Sequence, residues 1–307
     1  MSFKTFTYLA IFFGLFFSSC IKEINEDFDY QNKIVVTSYL SSNDAVFRVE
    51  LIQNFRANTK HISENYEDIP YIIDAIVTIK NDFGDERQLI YDANDECYSI
   101  DSASFHLIPG LNYYLNATTP DGKKITAKMT LPPKIQPPTL SIDSSSSPYT
   151  ITDSIYYPIY SMKKDLELKV NFSASGDYYF VYTTVFYSNH YTTSSTDTVV
   201  HGISESFMSY SEKPAYLNNN NTLETKTTIK TESYDPVTSF DLSVDSVLIK
   251  VIATKEDYYK FVNSLEKQSS LSNDPFAEPA MLYSNIDGGL GIFTGFTVSA
   301  NTVKYKP

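Results

Sequence analysis

The sequence predicts a mainly β chain of two β-rich domains, with one α-helix late in the second. Three observations carry this. Between Lys33 and Pro133, short segments alternate apolar and polar residues, with turn residues between them at regular intervals. The 307 residues include 25 Tyr and 20 Phe, which suit a pleated, half-buried surface. Only around 255–268 do apolar residues recur at helical spacing.

The first strand is expected from Ile34 to Leu40. In Val46-Phe47-Arg48-Val49-Glu50-Leu51 the alternation puts Val46, Arg48 and Glu50 on one face. A polar stretch runs from Asn54 to Asp68. Ala75 to Lys80 is a third strand, turned by Asn81-Asp82-Phe83-Gly84-Asp85 into Gln88 to Tyr91 as a hairpin. Leu107-Ile108-Pro109-Gly110 turns into a strand ending near Ala117, and Pro120-Asp121-Gly122-Lys123 turns tightly into Ile125 to Leu131. Such spacing over about 100 residues is that of an immunoglobulin- or fibronectin-like β-sandwich, placed at 33–133. Pro132-Pro133 and Pro137-Pro138 stiffen the exit.

Residues 134–307 are less regular. Ser144 to Ser147 reads as a loop. Leu166 to Phe172, Tyr178 to Tyr187 and Val247 to Ala253 read as strands. Asn189 to Thr198 and Lys213 to Lys226 are polar stretches, with an exposed tip at Asn218 to Asn221. Thr254-Lys255-Glu256-Asp257 resembles a capping box opening the helix at 255–268, whose Tyr258, Phe261, Val262 and Leu265 form a core-facing stripe.

The first 32 residues differ in character. Lys4 precedes an almost unbroken apolar run from Phe6 to Phe17. A membrane-crossing helix needs about 20 apolar residues, so this run fits the apolar region of a secretory signal instead. It ends in Phe17-Ser18-Ser19-Cys20, which resembles a lipobox: small side chains admit the backbone to the peptidase, and the Cys20 thiol takes lipid. The expectation is a signal peptide at 1–19, cleavage between Ser19 and Cys20, and a lipid-anchored tether at 20–32. Lys22, Glu23, Glu26 and Asp27 look like the export tag that sends Bacteroidota lipoproteins to the outer leaflet, so the expected place is the outer membrane, exposed at the cell surface.

Charge and composition narrow the functional classes. A net charge of −13 and a pI near 4.7 argue against a nucleic-acid partner, which calls for Lys/Arg patches. With Cys20 lipidated, Cys97 is left without an internal disulfide partner and reads as a small buried hydrophobe. His61, His106, His190 and His201 lie apart, without metal-ligand spacing, and no nucleophile elbow occurs. Asp92-Ala93-Asn94-Asp95-Glu96 lacks the spacing and central glycine of an EF-hand loop. No cofactor, no metal and no enzymatic activity are expected. Ser102, Ser154, Thr198 and Ser246 each sit in an Asp-Ser/Thr-apolar triplet that looks like the Bacteroidota O-glycosylation motif.

The most distinctive text is C-terminal. Ser272-Asn273-Asp274-Pro275-Phe276-Ala277-Glu278-Pro279 is followed by Tyr283-Ser284-Asn285-Ile286-Asp287-Gly288-Gly289-Leu290-Gly291-Ile292-Phe293. Its glycines lack the Lys-Ser/Thr and following helix of a phosphate loop, and read as close backbone approach where a loop at 285–296 packs on a sheet. With the acidic segment after Cys20, the Val35 to Leu40 strand and the Pro109 turn, this text resembles the Bacteroidota lipoprotein family of domain of unknown function DUF4249. The family signature comprises Asn273, Pro275, Phe276, Glu278, Pro279, Tyr283, Ser284, Asn285, Gly288, Gly289, Gly291 and Phe293. The resemblance implies an outer-membrane lipoprotein, often encoded beside a TonB-dependent receptor, and carries over no catalytic or ligand residue.

The function expected is therefore a non-catalytic surface lipoprotein that partners a TonB-dependent receptor in capturing a nutrient ligand. Its contacts are expected from the Tyr-rich loops of the second region, such as Tyr187 to Thr193 and Ser206 to Tyr216. A structural or adhesive surface protein is the alternative, and a hydrolase with an unfamiliar site a more distant one.

Overall fold

The computed structural model describes residues 32–54, 69–153, 158–172, 178–193, 197–208, 222–233, 237–271 and 281–305. Within them the chain is mainly β, with two sheets and one long helix. The strands are β1 (Ile34–Ser41), β2 (Val46–Gln53), β3 (Ile76–Asn81), β4 (Glu86–Asp92), β5 (Cys97–Asp101), β6 (Asn112–Thr118), β7 (Lys124–Thr130), β8 (Thr139–Asp153), β9 (Pro158–Asn171), β10 (Tyr178–Thr193), β11 (Asp197–Met208), β12 (Thr222–Ser233), β13 (Val237–Thr254), β14 (Ile286–Asp287) and β15 (Gly289–Lys304). The helix α1 spans Glu256–Leu271.

Twelve strands form one hydrogen-bonded series, β11-β10-β13-β15-β1-β2-β5-β4-β3-β6-β7-β14, and β12-β9-β8 form a second sheet. The first half of the chain packs on itself. Period-2 burial along β2 sends Phe47, Val49 and Leu51 inward and leaves Arg48 exposed, as the alternation predicts. Those residues share one core with Val77 and Ile79 of β3, Tyr113 and Leu115 of β6, and Ile125 and Met129 of β7. Its buried hydroxyls are satisfied: Tyr98 accepts a hydrogen bond from the Ala75 amide at 2.8 Å, and Tyr113 accepts one from Ile108 at 2.6 Å.

A second core lies between β10 and β13 on one side and β9 of the smaller sheet on the other. It joins Val181, Val185, Val247, Ile249 and Val251 to Leu166, Leu168 and Val170. The two cores are joined by β15. Its residues Gly289 to Phe296 pair in parallel with Ile34 to Ser41, and Thr297 to Lys304 pair antiparallel with Ala253 to Ser246. At about 3.3 Å per residue this strand is a strut of about 50 Å. The proline-rich exit runs beside it: Thr297 donates to the Pro133 carbonyl at 3.0 Å and Asn301 to that of Pro138 at 2.9 Å.

Four expectations are corrected. The serine run is strand rather than loop: it lies in β8, where Ser144 pairs with Leu166 and Ser147 with Lys163. The segment Tyr187 to Thr193 is strand rather than loop: it continues β10, paired with β11 as far as Thr192 and with β13 as far as Thr193. The capping box does not close, since the buried Thr254 hydroxyl has no partner among the described residues and the Asp257 carboxylate accepts from Tyr283. The helical stripe is only half-buried, and Leu265 at its far end is 40% exposed.

Candidate functional site

The glycine-rich signature at 285–296 is a clasp of two short pairings rather than a loop. Ile286 and Asp287 add β14 to the outer edge of β7, and after Gly288 the chain adds β15 to the outer edge of β1. One segment thus covers both strand edges of the first core, which otherwise offer unpaired backbone groups. Gly288 turns the chain at φ +78°, and a Cβ there would lie 2.3 Å from the Lys124 carbonyl oxygen. Gly291 has φ +110°, and a Cβ there would lie 2.0 Å from the Val36 oxygen. At Gly289 the corresponding distance to the Ile34 oxygen is 2.6 Å.

The other signature residues hold this clasp. The Asn285 side chain bonds the amide and the carbonyl of Phe293, a residue fully buried in the first core. Ser284 accepts from the Ile286 amide at 3.2 Å. Tyr283 ties the segment to α1: its amide donates to Ser264 at 2.9 Å and its hydroxyl donates to Asp257. Burial first, and then Asp257, pushes the Tyr283 hydroxyl far above the ordinary phenol range. Asn273, Pro275, Phe276, Glu278 and Pro279 lie outside the described residues, as do Ser19, Cys20, Lys22, Glu23, Glu26, Asp27 and Ser154.

Where β15 leaves the first core for the second, one sheet face opens into a groove of about 560 Å³. Tyr39, Ser41, Asn43 and Asp44 form one wall, and Phe180, Tyr182, Lys250 and Ile252 the other. Phe296, Val298 and Ala300 of β15 run along the floor, and Tyr258 of α1 closes one end. The aromatic rings meet edge to face. Tyr258 lies 4.9 Å from Phe296 at 86° and 5.5 Å from Phe180 at 76°. Tyr39, 44% exposed, lies 6.1 Å from Tyr258 at 87°. The volume suits a small molecule or a short chain, and the lining is apolar with a few polar groups at the rim.

The sequence alone marks none of these aromatic residues as a contact. A signal existed at Tyr39: the alternation that buries Val36 and Leu40 turns this large ring outward. The expected contact Tyr187 instead packs against the second core, with its ring over Gly202. The other expected segment enters β11 at Ser206 to Met208, and its remainder lies outside the described residues.

Among the described residues, the polar clusters elsewhere are paired as follows. Ser188 donates to Asp245 at 2.6 Å and meets His201 Nδ1 at 2.9 Å. Here the hydroxyl stands between the acid and the imidazole, so the acid does not orient the histidine as a base. Around Glu96, a hydrogen bond from Tyr71 to its carboxylate pushes the Tyr71 hydroxyl up to about 12. Arg48 pairs with Asp95 at 3.0 Å on the exposed surface. Among the described residues, no group of three or more His, Cys, Asp or Glu is arranged to hold a metal ion. Nor is any helix among them long and apolar enough to cross a membrane. Of the triplet serines, Ser102 is half-buried in the turn after β5, its amide bonded to the Ala45 carbonyl. Ser246 is half-buried in β13, between β10 and β15, and Thr198 lies in β11 opposite Tyr191.

A search of curated proteins finds no match. The family model described as Domain of unknown function (DUF4249) matches residues 21–302, nearly the whole sequence, and the chain belongs to that family.

Proposed function

We propose that the protein is a non-catalytic, lipid-anchored surface protein of the outer membrane that captures a nutrient ligand for a TonB-dependent receptor. The observation that carries this reading is the groove at the junction of the two cores, set on the continuous strut β15. The tether would leave the start of β1 at Ile34, whereas the groove opens at its other end, beside Tyr39 and Ser41. The groove thus lies about 20 Å, roughly the length of a strand, along β1 from the end at which a tether from Cys20 would join it. The lipobox-like text and the acidic tag behind it support the anchor.

An immunoglobulin-like first domain fits the same reading as a display scaffold. It is supported by the strand order β1-β2-β5-β4 followed by β3-β6-β7, the grouping of the seven-stranded sandwich, although here β4 also pairs with β3 and joins the two groups. Tyr113, near the start of the sixth strand, bonds the backbone of Ile108, a contact like that of a tyrosine corner, and this too supports the reading.

The test is affinity purification of the tagged protein from gently solubilised outer membranes of its host, followed by mass spectrometry. A TonB-dependent receptor recovered in stoichiometric amount is the expected result. Recovery of the lipoprotein alone would overturn the partnership and favour an adhesive or structural role.

A further inference from the structure

We infer that the groove binds an anionic amphiphile, seating an apolar chain on Tyr39, Phe180, Tyr258 and Phe296 and pairing a carboxylate with Lys250. This rests on the groove being the capture surface, though not on the receptor partnership. Three observations select the chemistry. Its floor and end wall are apolar, Phe296, Val298, Ala300 and the rings around Tyr258, and Ile252 adds an apolar side wall. Tyr39, Phe180 and Phe296 each stand nearly perpendicular to Tyr258, while Tyr39 and Phe296 are tilted by 34° to each other, and together the rings make a concave apolar seat. A sugar calls instead for a flat, exposed ring face on which to stack.

The charges at the rim then orient the guest. Asp44 is turned toward its own backbone, its carboxylate accepting from the Ser41 amide at 3.0 Å. Lys250 is exposed and has no ion-pair or hydrogen-bond partner among the described residues. It pairs with Ala300, two residues along β15 from Val298, whose carbonyl accepts from Asn43 at 3.5 Å. The cation and the carboxylate thus occupy different parts of the rim. An anionic head is drawn to the Lys250 side and repelled from the Asp44 side, while its chain follows the floor.

The experiment is calorimetric titration of the mature chain carrying Cys20→Ser, which needs no detergent, with decanoate, decanol and maltohexaose below any micelle threshold. Decanoate is expected to bind, and Lys250→Gln to weaken it about fivefold or more, the scale of a charge-assisted hydrogen bond. Decanol is expected to bind equally to both proteins. Tyr39→Ser, at an exposed position, is expected to weaken both amphiphiles alike. The inference is overturned if decanoate does not bind, if Lys250→Gln leaves its affinity unchanged, or if maltohexaose alone binds. Failure here leaves the receptor partnership standing, and a lipoprotein recovered alone from membranes leaves the groove chemistry standing.

Discussion

Asn285 grips Phe293 at both of its backbone groups: Oδ1 accepts from the Phe293 amide at 3.0 Å and Nδ2 donates to its carbonyl at 2.8 Å. A single side chain thereby acts as a short length of neighbouring strand, closing the clasp around Ile286 to Ile292. Net contributions of about 1 kcal/mol per hydrogen bond, with a further cost for stranding buried groups, put Asn285→Ala at about 2–3 kcal/mol of lost stability. Asn301→Ala removes a single bond to Pro138 and should cost about 1 kcal/mol. Urea unfolding followed by Tyr fluorescence reads both, and equal losses would show that the clasp has no special weight.

The glycines of the clasp separate backbone conformation from close approach. Gly84 turns the β3–β4 hairpin at φ +85° with open space where a Cβ would stand. Gly84→Ala should cost about 1–2 kcal/mol, the left-handed strain alone. Gly291→Ala adds a collision with the Val36 carbonyl oxygen and should cost more than about 4 kcal/mol or prevent folding. Thermal melts that shift equally for the two would refute this account of β15 against β1.

Much of the first core was legible because one buried face imprints a period of two on each strand. Phe47, Val49 and Leu51 against Arg48 show this directly. What was not legible depends on partners far along the chain. The glycine run could be read as close approach, but nothing local names Val36 or Lys124 as the atoms approached. The capping box failed for a similar reason, since Tyr283, distant in sequence, takes the Asp257 carboxylate. Ser144 to Ser147 have the composition of a loop and become strand through backbone pairing with β9. The groove draws Tyr39, Phe180, Tyr258 and Phe296 from four separate segments, and only the outward position of Tyr39 hinted at it.

Acidification should test Glu50, which lies half-buried on β2. Burial, and then the charge of Glu96, raises its carboxyl above the ordinary value. The folded protein therefore holds this proton more tightly than the unfolded chain does. Its contribution to stability is fully present below the unfolded carboxyl range and is lost as pH rises through the folded value. Glu50→Gln should gain stability over the parent near neutral pH, and that advantage should shrink as pH falls into the carboxylate range. Asp82, Asp121 and Glu224 are shifted the other way by their hydrogen bonds and lose stability on acidification, so the difference between variant and parent is the quantity to follow. A difference that stays constant with pH would sink the assignment.

Cys97 offers a probe that needs no engineered label. Its side chain is buried in β5, 5% exposed, and desolvation raises the thiol above its ordinary range. The charge of Asp95 reinforces the rise, and that of Arg48 opposes it less strongly. Both access and thiolate fraction are therefore low in the folded state, and the reagent reaches the sulfur only when the β4–β5 hairpin opens. With Cys20 replaced by Ser, the native protein should be unreactive toward an aromatic disulfide reagent at mildly alkaline pH. One thiol per chain should appear over the same urea range in which Tyr fluorescence reports unfolding. Asn285→Ala should move that range downward with the global transition. Rapid labelling in the absence of denaturant would instead mean that the first core opens locally around β5, between β2 and β4, without the clasp letting go.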